Sequence, residues 1–269
     1  MDKTFVEKTL FSIITITFNS EKTIERTLKS VLAQSYTDYE YIIVDGASKD
    51  STMDIVRKYE PLFEGRMKWK SEPDKGIYDA MNKGIERSTG VIVGIVNSDD
   101  WLEADALENV QKAFIENKKC ENSLYCGGIN FVTKNKTIRK PSNLALFYKN
   151  TKFYLMAGIR HPATFVPKQV YDKLGCFDSR MKITADRDFI LRCYFNGIKF
   201  VGLDYFLSNM SDGGVSTSIS KNTLIKAIDD RKLMLKNFEK KGAEFYYLYY
   251  YWRFRNIIAD FVKTLGLYK

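Results

Sequence analysis

The chain is poor in residues that carry several common chemistries. Of its 269 residues four are cysteines, Cys120, Cys126, Cys176 and Cys193, and no two form a CxxC pair. That spacing disfavours a structural zinc site and leaves isolated reduced thiols of a cytosolic protein as the expectation. His161 is the single histidine. A Ser-His-Asp hydrolase would have to use it, yet no GxSxG elbow accompanies it. Neither a GxxxxGK[ST] nor a GxGxxG string occurs, which disfavours kinase and dinucleotide-binding readings. No run of about 18 uncharged apolar residues exists, so no transmembrane helix is expected. The charged segment from Met1 to Thr9 lacks the apolar core of a signal peptide.

What is present describes a folded chain. Hydrophobic residues make up 45% against 28% charged, enough to bury a sizeable core. The net charge of +9 is uneven: Ile219 to Lys269 holds eleven Lys/Arg and five Asp/Glu. A basic balance admits nucleic acid, anionic lipid or a phosphorylated substrate as partner.

Phe11 to Thr17 (FSIITIT), Tyr39 to Val44 and Val91 to Val96 are short β-branched runs that read as buried strands, with Met67 to Lys70 a weaker one. Between them, Ile24, Leu28, Val31 and Leu32 repeat at helical spacing. Ser51 and Asp54 open a helix through Tyr59, and Ile77 to Arg87 and Ala104 to Glu116 read as further helices. Strands alternating with helices predict a mainly parallel α/β sheet, which binds ligands at the carboxyl ends of its strands. The second half is less regular. Ser123 to Thr133 and Ile198 to Leu203 could be strands, Asp186 to Asn196 a short helix, and Ile219 to Lys241 a charged helix. Lys134 to Lys152 reads as a basic loop, and Ser208 to Ser218 has turn composition and should be mobile.

The residues after the strands are polar: Phe18-Asn19, then Asp45-Gly46, then Asn97-Ser98-Asp99-Asp100. Adjacent carboxylates suit a divalent cation, Mn²⁺ or Mg²⁺, that bridges a diphosphate and stabilises charge on its departure. An isolated Asp-Asp pair reads first as a solvated turn capping the next helix; its place beside other acidic strand ends favours the metal instead. Asp45 could accept from a ring N–H of a base or merely stabilise its turn, where Gly46 permits a tight bend.

These strings resemble a family. Val44 to Thr52 (VDGASKDST) is similar to the VDGSxDGT motif of family 2 glycosyltransferases, and so is the opening from Ile14 to Tyr36. Glu72 to Gly84 (EPDKGIYDAMNKG) resembles the block ahead of the acidic motif in bacterial O-antigen and capsular polysaccharide members, and Ser98-Asp99-Asp100 their degenerate DxD. The resemblance spans about residues 10 to 217. It implies a GT-A fold, a Rossmann-like mixed and mainly parallel sheet flanked by helices. A domain over 1–218 is expected, its nucleotide-binding half about 10–103 and its acceptor half about 104–218, with a C-terminal helical extension over 219–269.

The resemblance also implies roles. Thr17, Phe18, Asn19 and Glu21 would line the donor pocket, with Asp45 and Gly46 at the base and Asp74 and Lys75 near base or diphosphate. Ser98 stands for the first acid of a strict DxD, Asp99 would contact ribose or donor sugar, and Asp100 the metal. In the acceptor half, Asp186 falls on the last residue of the family's Glu-Asp motif, where inverting members carry the base, with Ala185 in place of the Glu. Asp186 also suits a helix N-cap. His161 and Asp188 are acceptor-contact or structural candidates, and Gly213-Gly214 are hinges of a lid or of an ordinary surface loop. The activity implied is a metal-dependent hexosyltransferase using a nucleotide sugar, most simply a UDP-sugar. Its acceptor would be a saccharide on a polyprenyl diphosphate lipid in bacterial surface polysaccharide or lipopolysaccharide assembly.

The tail interleaves Tyr246 to Tyr251 with Trp252, Arg253 and Arg255. It suits peripheral contact with the inner face of the cell membrane, or packing on the core or in a homodimer. A nucleic-acid-binding module is the rival from another class, but acids at the strand ends would repel phosphate without a metal. A nucleotidyltransferase or nucleotide-binding regulator on a similar sheet is the other alternative, and Phe18 to Glu21 lacks the glycine a nucleotidyltransferase loop usually shows.

Overall fold

β1 (Phe11–Thr17) and β2 (Tyr39–Asp45) are buried along their whole length. Two-sided burial is why both read as unbroken apolar runs rather than alternating ones. α1 (Ile24–Leu32), α2 (Thr52–Tyr59), β3 (Met67–Ser71), α3 (Ile77–Arg87) and β4 (Ile92–Ile95) complete the first half. β1 pairs in parallel with both β2 and β4, and β2 with β3. The chain therefore steps outward from β1 to β3, then returns to lay β4 on the other flank of β1. Such a reversal leaves a crevice at the carboxyl ends of the two central strands.

The computed structural model describes residues 9–152, 154–212 and 221–239, and beyond them positions 243, 246–248, 250, 251 and 254. The second half runs β5 (Trp101–Leu102), α4 (Ala106–Glu116), β6 (Ser123–Val132), β7 (Thr137–Lys140), α5 (Leu144–Thr151), β8 (Thr164–Pro167), α6 (Lys168–Leu174), α7 (Ala185–Phe195), β9 (Lys199–Ser211) and α8 (Lys221–Asn237). The sheet order is β3-β2-β1-β4-β8-β6-β9-β5, with β7 on β6. β8 is antiparallel to β4 and β6, so the sheet is mixed.

Alternate side chains of the central strands go to opposite faces. Ile14, Ile16, Ile42, Val44, Val93 and Ile95 meet α3, α7 and α8 in one core. Phe11, Ile13, Tyr41, Ile43 and Ile92 meet α1, α2 and α4 in the other. α8 places Met234 and Leu235 fully within the first core. No helix of the described residues is long and apolar enough to cross a membrane.

Two expectations change. The basic stretch 134–152 is not a loop: it forms β7 against β6 and then α5, capped where Asn143 Oδ1 accepts from the Leu146 N–H at 2.8 Å. Ser208 to Ser211 are not a mobile turn but the end of β9, paired with β6 on one side and with β5 on the other. Asn130 and Asn209 both donate to Glu103 Oε1, at 2.8 and 2.9 Å, which locks that end of the strand. Gly213 and Gly214 lie outside the described residues, as do Phe245, Tyr249, Trp252, Arg253 and Arg255 of the aromatic run.

Candidate active site

The carboxyl ends of β1 and β4 open into a cavity of about 620 Å³. Thr17, Phe18, Asp74, Ser98, Asp99, Asp100, His161 and Asp186 all line it. They come from segments up to 169 positions apart, and the switch-point topology brings them together. Phe18 is 59% exposed at its edge, a flat apolar ring suited to stacking on a base.

Asn19, Glu21, Asp45, Gly46, Lys75 and Asp188 do not line the cavity. The first three brace it. Asn19 adopts φ 48°, donates its N–H to Ser48 Oγ at 2.8 Å, and accepts from the Lys49 N–H at 2.9 Å. Glu21 accepts from the Ser51 N–H at 3.1 Å and donates its own N–H to Asp50. The Ser20 N–H reaches Thr52 Oγ1 at 2.7 Å, and the Ser20 and Ser98 hydroxyls share a hydrogen bond of 2.8 Å. The string from Val44 to Thr52 is thus largely a splice that fixes the loop after β1, and through it Thr17 and Phe18.

Asp45 is fully buried, and its oxygens accept from the Ser48 N–H, the Ser48 hydroxyl and the Ser71 hydroxyl, the last at 2.6 Å. The carboxylate is spent on its own turn and on β3. Gly46 matters for clearance rather than for an unusual φ, because the left-handed residue in this turn is Ala47 at φ 63°. A Cβ on Gly46 would stand 2.5 Å from Asp74 Oδ2 and 3.3 Å from the Phe18 ring. Lys75 donates its N–H to Asp79 at the start of α3. Asp188 is fully buried in an ion pair with Arg192 Nε at 2.8 Å, and Arg192 also donates to the carbonyls of Leu174 and Cys176. Its contacts are structural: through Arg192 it secures the loop after α6.

Asp99 and Asp100 sit at the mouth of α1. Arg26 donates to the Asp99 carbonyl at 2.6 Å and stacks on Trp101, and Thr27 Oγ1 donates to the Asp100 carbonyl at 2.6 Å. Asp100 is 2% exposed and accepts from the Ser211 N–H at 3.0 Å and Asn97 Nδ2 at 3.2 Å. Burial first, and the Asp99 charge second, push its pKa up to about 7. The buried oxygens Thr17 Oγ1 and Asn97 Oδ1 have no hydrogen-bond donor among the described residues, and both residues line the cavity. Among the described residues no three His, Cys, Asp or Glu converge. Two adjacent carboxylates, with the unpartnered oxygens of Thr17 and Asn97 in the same lining, fit a hard divalent cation that completes its shell with phosphate and water.

Asp186 lies in the first turn of α7. Tyr78 donates to Asp186 Oδ1 at 3.3 Å, and burial together with the Asp186 charge keeps that phenol protonated far above neutrality. The N-cap position belongs to Thr184. Asp230 of α8, itself buried, accepts from the N–H groups of Lys182, Ile183 and Thr184 at 2.9, 2.7 and 2.9 Å. Three orphan donors ahead of α7 are thus satisfied from 46 or more residues downstream. His161 is buried edge-on to Phe177, with ring centroids 5.4 Å apart. Burial lowers its pKa, and the Asp186 charge works the other way, so it is neutral at pH 7.

Sequence reasoning missed Asn97, Tyr78, Arg160, Lys182 and Asp230. Asn97 and Tyr78 stood inside strings already singled out. Arg160 adjoins His161. Asp230 had no local signal, because its partner loop is distant in sequence.

The sequence profile of "Glycosyl transferase family 2" matches residues 12–175. The chain belongs to glycosyl transferase family 2. A "PGL/p-HBAD biosynthesis glycosyltransferase" of Mycobacterium bovis (strain BCG / Pasteur 1173P2) is 33% identical over 190 residues, 70% of each chain. Among solved structures, S. aureus TarS 1–349 in complex with UDP-GlcNAc superposes with a TM-score of 0.66 at 21% identity, covering 89% of this chain and 69% of that one. The mannosyltransferase PcManGT from Pyrobaculum calidifontis, in complex with GDP-Man and Mn²⁺, gives 0.61 at 18% identity over 89% and 66%. The family 2 chain thus has the GT-A fold, and it is a glycosyltransferase.

Proposed function

We propose that this glycosyltransferase moves a hexose from a UDP-sugar to a hydroxyl of a saccharide acceptor with inversion, aided by Mn²⁺ or Mg²⁺. The observation that carries the reading is the meeting of Asp99 and Asp100 with Asp186 in one cavity. One end of the site suits a metal diphosphate, and the other offers a carboxylate held in place. The Phe18 ring and the Thr17 hydroxyl take the nucleoside end. Asp100, with Asp99, would hold the cation, which would supply charge neutralisation for the departing diphosphate.

Asp186 is the base. It accepts the acceptor hydroxyl proton as that oxygen bonds to the anomeric carbon from the face opposite the diphosphate. The carbon–oxygen bond to the β-phosphate breaks, and its electron pair leaves on the nucleoside diphosphate. Tyr78 orients Asp186 Oδ1 and leaves the other oxygen for the proton. Inversion turns an α-linked donor into a β-linked product. NMR showing retention would remove this role from Asp186.

The polyprenyl-linked acceptor rests on the sequence resemblance alone; a place in bacterial glycoconjugate biosynthesis is supported also by the mycobacterial relative, a PGL/p-HBAD biosynthesis glycosyltransferase. The tail supports a site at the inner face of the membrane: Tyr246, Tyr247, Tyr250 and Phe254 are exposed, and the segment from Ile219 is basic. Flotation with anionic liposomes should carry the protein upward, and absence of binding would remove the membrane from this reading. For the enzyme itself, calorimetric titration with UDP should show binding with Mn²⁺ that EDTA abolishes and Asp100→Ala loses. No nucleotide binding in the presence of metal would overturn the assignment of donor and site.

A further inference from the structure

The charges around the cavity are unevenly distributed: Asp186 of α7 is the carboxylate that the acceptor half contributes to the lining. Asp74, Asp99 and Asp100 belong to the loops after β3 and β4, the donor half. Arg160 and Lys182, from the segments ahead of β8 and α7, are the cationic side chains lining it among the described residues. With the nearby His161 held neutral by burial, positive charge on that side comes from these two groups.

Arg160 is half-buried, and burial alone lowers its pKa, with no carboxylate raising it back. Its guanidinium makes one hydrogen bond, from Nη1 to the carbonyl of its own neighbour Ile159 at 3.0 Å, and enters no ion pair among the described residues. The backbone is what the fold uses: the Arg160 carbonyl accepts from Thr164 Oγ1 at 2.8 Å and from the Ala163 N–H at 3.1 Å. Withdrawing a guanidinium from water without a counter-charge is unfavourable. Its planar fork matches a carboxylate or phosphate with two parallel bonds. Lys182 is exposed, its backbone N–H is held by Asp230, and the residue borders the cavity beside Asp186.

We propose that Arg160 and Lys182 form an anion-binding subsite in the acceptor half of the cavity, which takes a carboxylate or phosphate group on the ligand. This rests on the reading of the cavity as a transferase site. Because the donor diphosphate already has the metal-binding end, the subsite selects an acidic acceptor, one bearing a uronate carboxylate or a phosphate near the reacting hydroxyl. The other source of the same chemistry is the donor diphosphate itself.

Three probes separate these sources: UDP with Mn²⁺ by calorimetry, and methyl β-D-glucuronide and methyl β-D-glucoside by NMR titration. They are applied to wild type, Arg160→Gln and Arg160→Lys, with thermal melting to confirm that each variant is folded. The expected result is a glucuronide preference of about tenfold or more over the glucoside in wild type, lost in Arg160→Gln and largely restored in Arg160→Lys, with UDP affinity within about twofold throughout. A roughly tenfold loss of UDP affinity in Arg160→Gln, recovered by Arg160→Lys and without a glucuronide preference, keeps the anion subsite and assigns it to the diphosphate. A folded Arg160→Gln that matches wild type with all three probes overturns the subsite. Failure of wild type to bind UDP with Mn²⁺ would instead strike the transferase reading, and the sugar probes still report on Arg160 by themselves.

Discussion

Asp100→Asn is expected to stabilise the metal-free protein while destroying its response to metal. The carboxyl is buried, next to Asp99, with a pKa pushed up to about 7 from an ordinary value of 3.8. A carboxyl whose folded pKa is raised contributes its full stability below the unfolded pKa and loses it as pH climbs through the folded one. Between about pH 4 and 7 the metal-free protein therefore weakens, because the unfolded chain sheds this proton first. Each pKa unit corresponds to about 1.4 kcal/mol, so a shift of about three units makes the loss above pH 7 on the order of 4 kcal/mol. The amide that the substitution introduces at this position would keep the Ser211 N–H bond, and a flip of Asn97 would offer its unpartnered Oδ1 to the new N–H. In thermal melts with EDTA at pH 8 the variant should gain roughly 8–16 °C over wild type for a chain of this size. Near pH 4 the gain should shrink towards zero. Adding UDP and Mn²⁺ at pH 8 should raise the melting point of wild type but not of Asp100→Asn. A variant that melts below wild type at pH 8, or a gain that does not depend on pH, would refute the account of Asp100 as a charge held in readiness for a cation.

Asp186→Asn should lower kcat by about 10²–10⁴-fold, the usual contribution of a general base, while UDP binds with unchanged affinity by calorimetry. Gly46→Ala should weaken nucleotide binding more than it lowers the melting point, since the new methyl displaces the Asp74 carboxylate and the Phe18 ring rather than the core. Asp230→Ala leaves three N–H groups ahead of α7 without an acceptor, a cost of about 3 kcal/mol. Assayed well below its melting point, it should lose kcat by more than about tenfold with UDP affinity intact. Asp230→Asn, which keeps one acceptor oxygen, should fall between.

The first half of the fold was legible because its physics is local. Strands buried on both faces announce themselves as Ile/Val runs, and helices such as Ile77–Arg87 as a stripe at helical period. The acidic strand ends could be located once the strands were. Elements stabilised from outside their own sequence were not legible. β8 spans Thr164–Pro167, too short to carry a period, and exists because β4 and β6 leave room between them. The end of β9 looked like a turn because Ser208, Asn209 and Ser211 are polar. Their backbones are nevertheless paired, and Glu103 absorbs the side chains of Asn130 and Asn209.

The same distinction separates the residues that touch ligand from those that place them. Motif resemblance implies pocket roles for Asn19, Glu21 and Asp45; in the fold the first two hydrogen-bond the neighbouring loop, and Asp45 its own turn and β3. A polar residue at a strand end meets two demands, and sequence does not say which it serves. The extension shows the converse. Composition gives 219–241 as a charged helix, which ordinarily means a solvated one. Met234 and Leu235 instead lie within the core, and Asp230 reaches back to hold the N–H groups of Lys182, Ile183 and Thr184. Whatever moves α8 must therefore move or strand the loop that carries Lys182 and leads into Asp186.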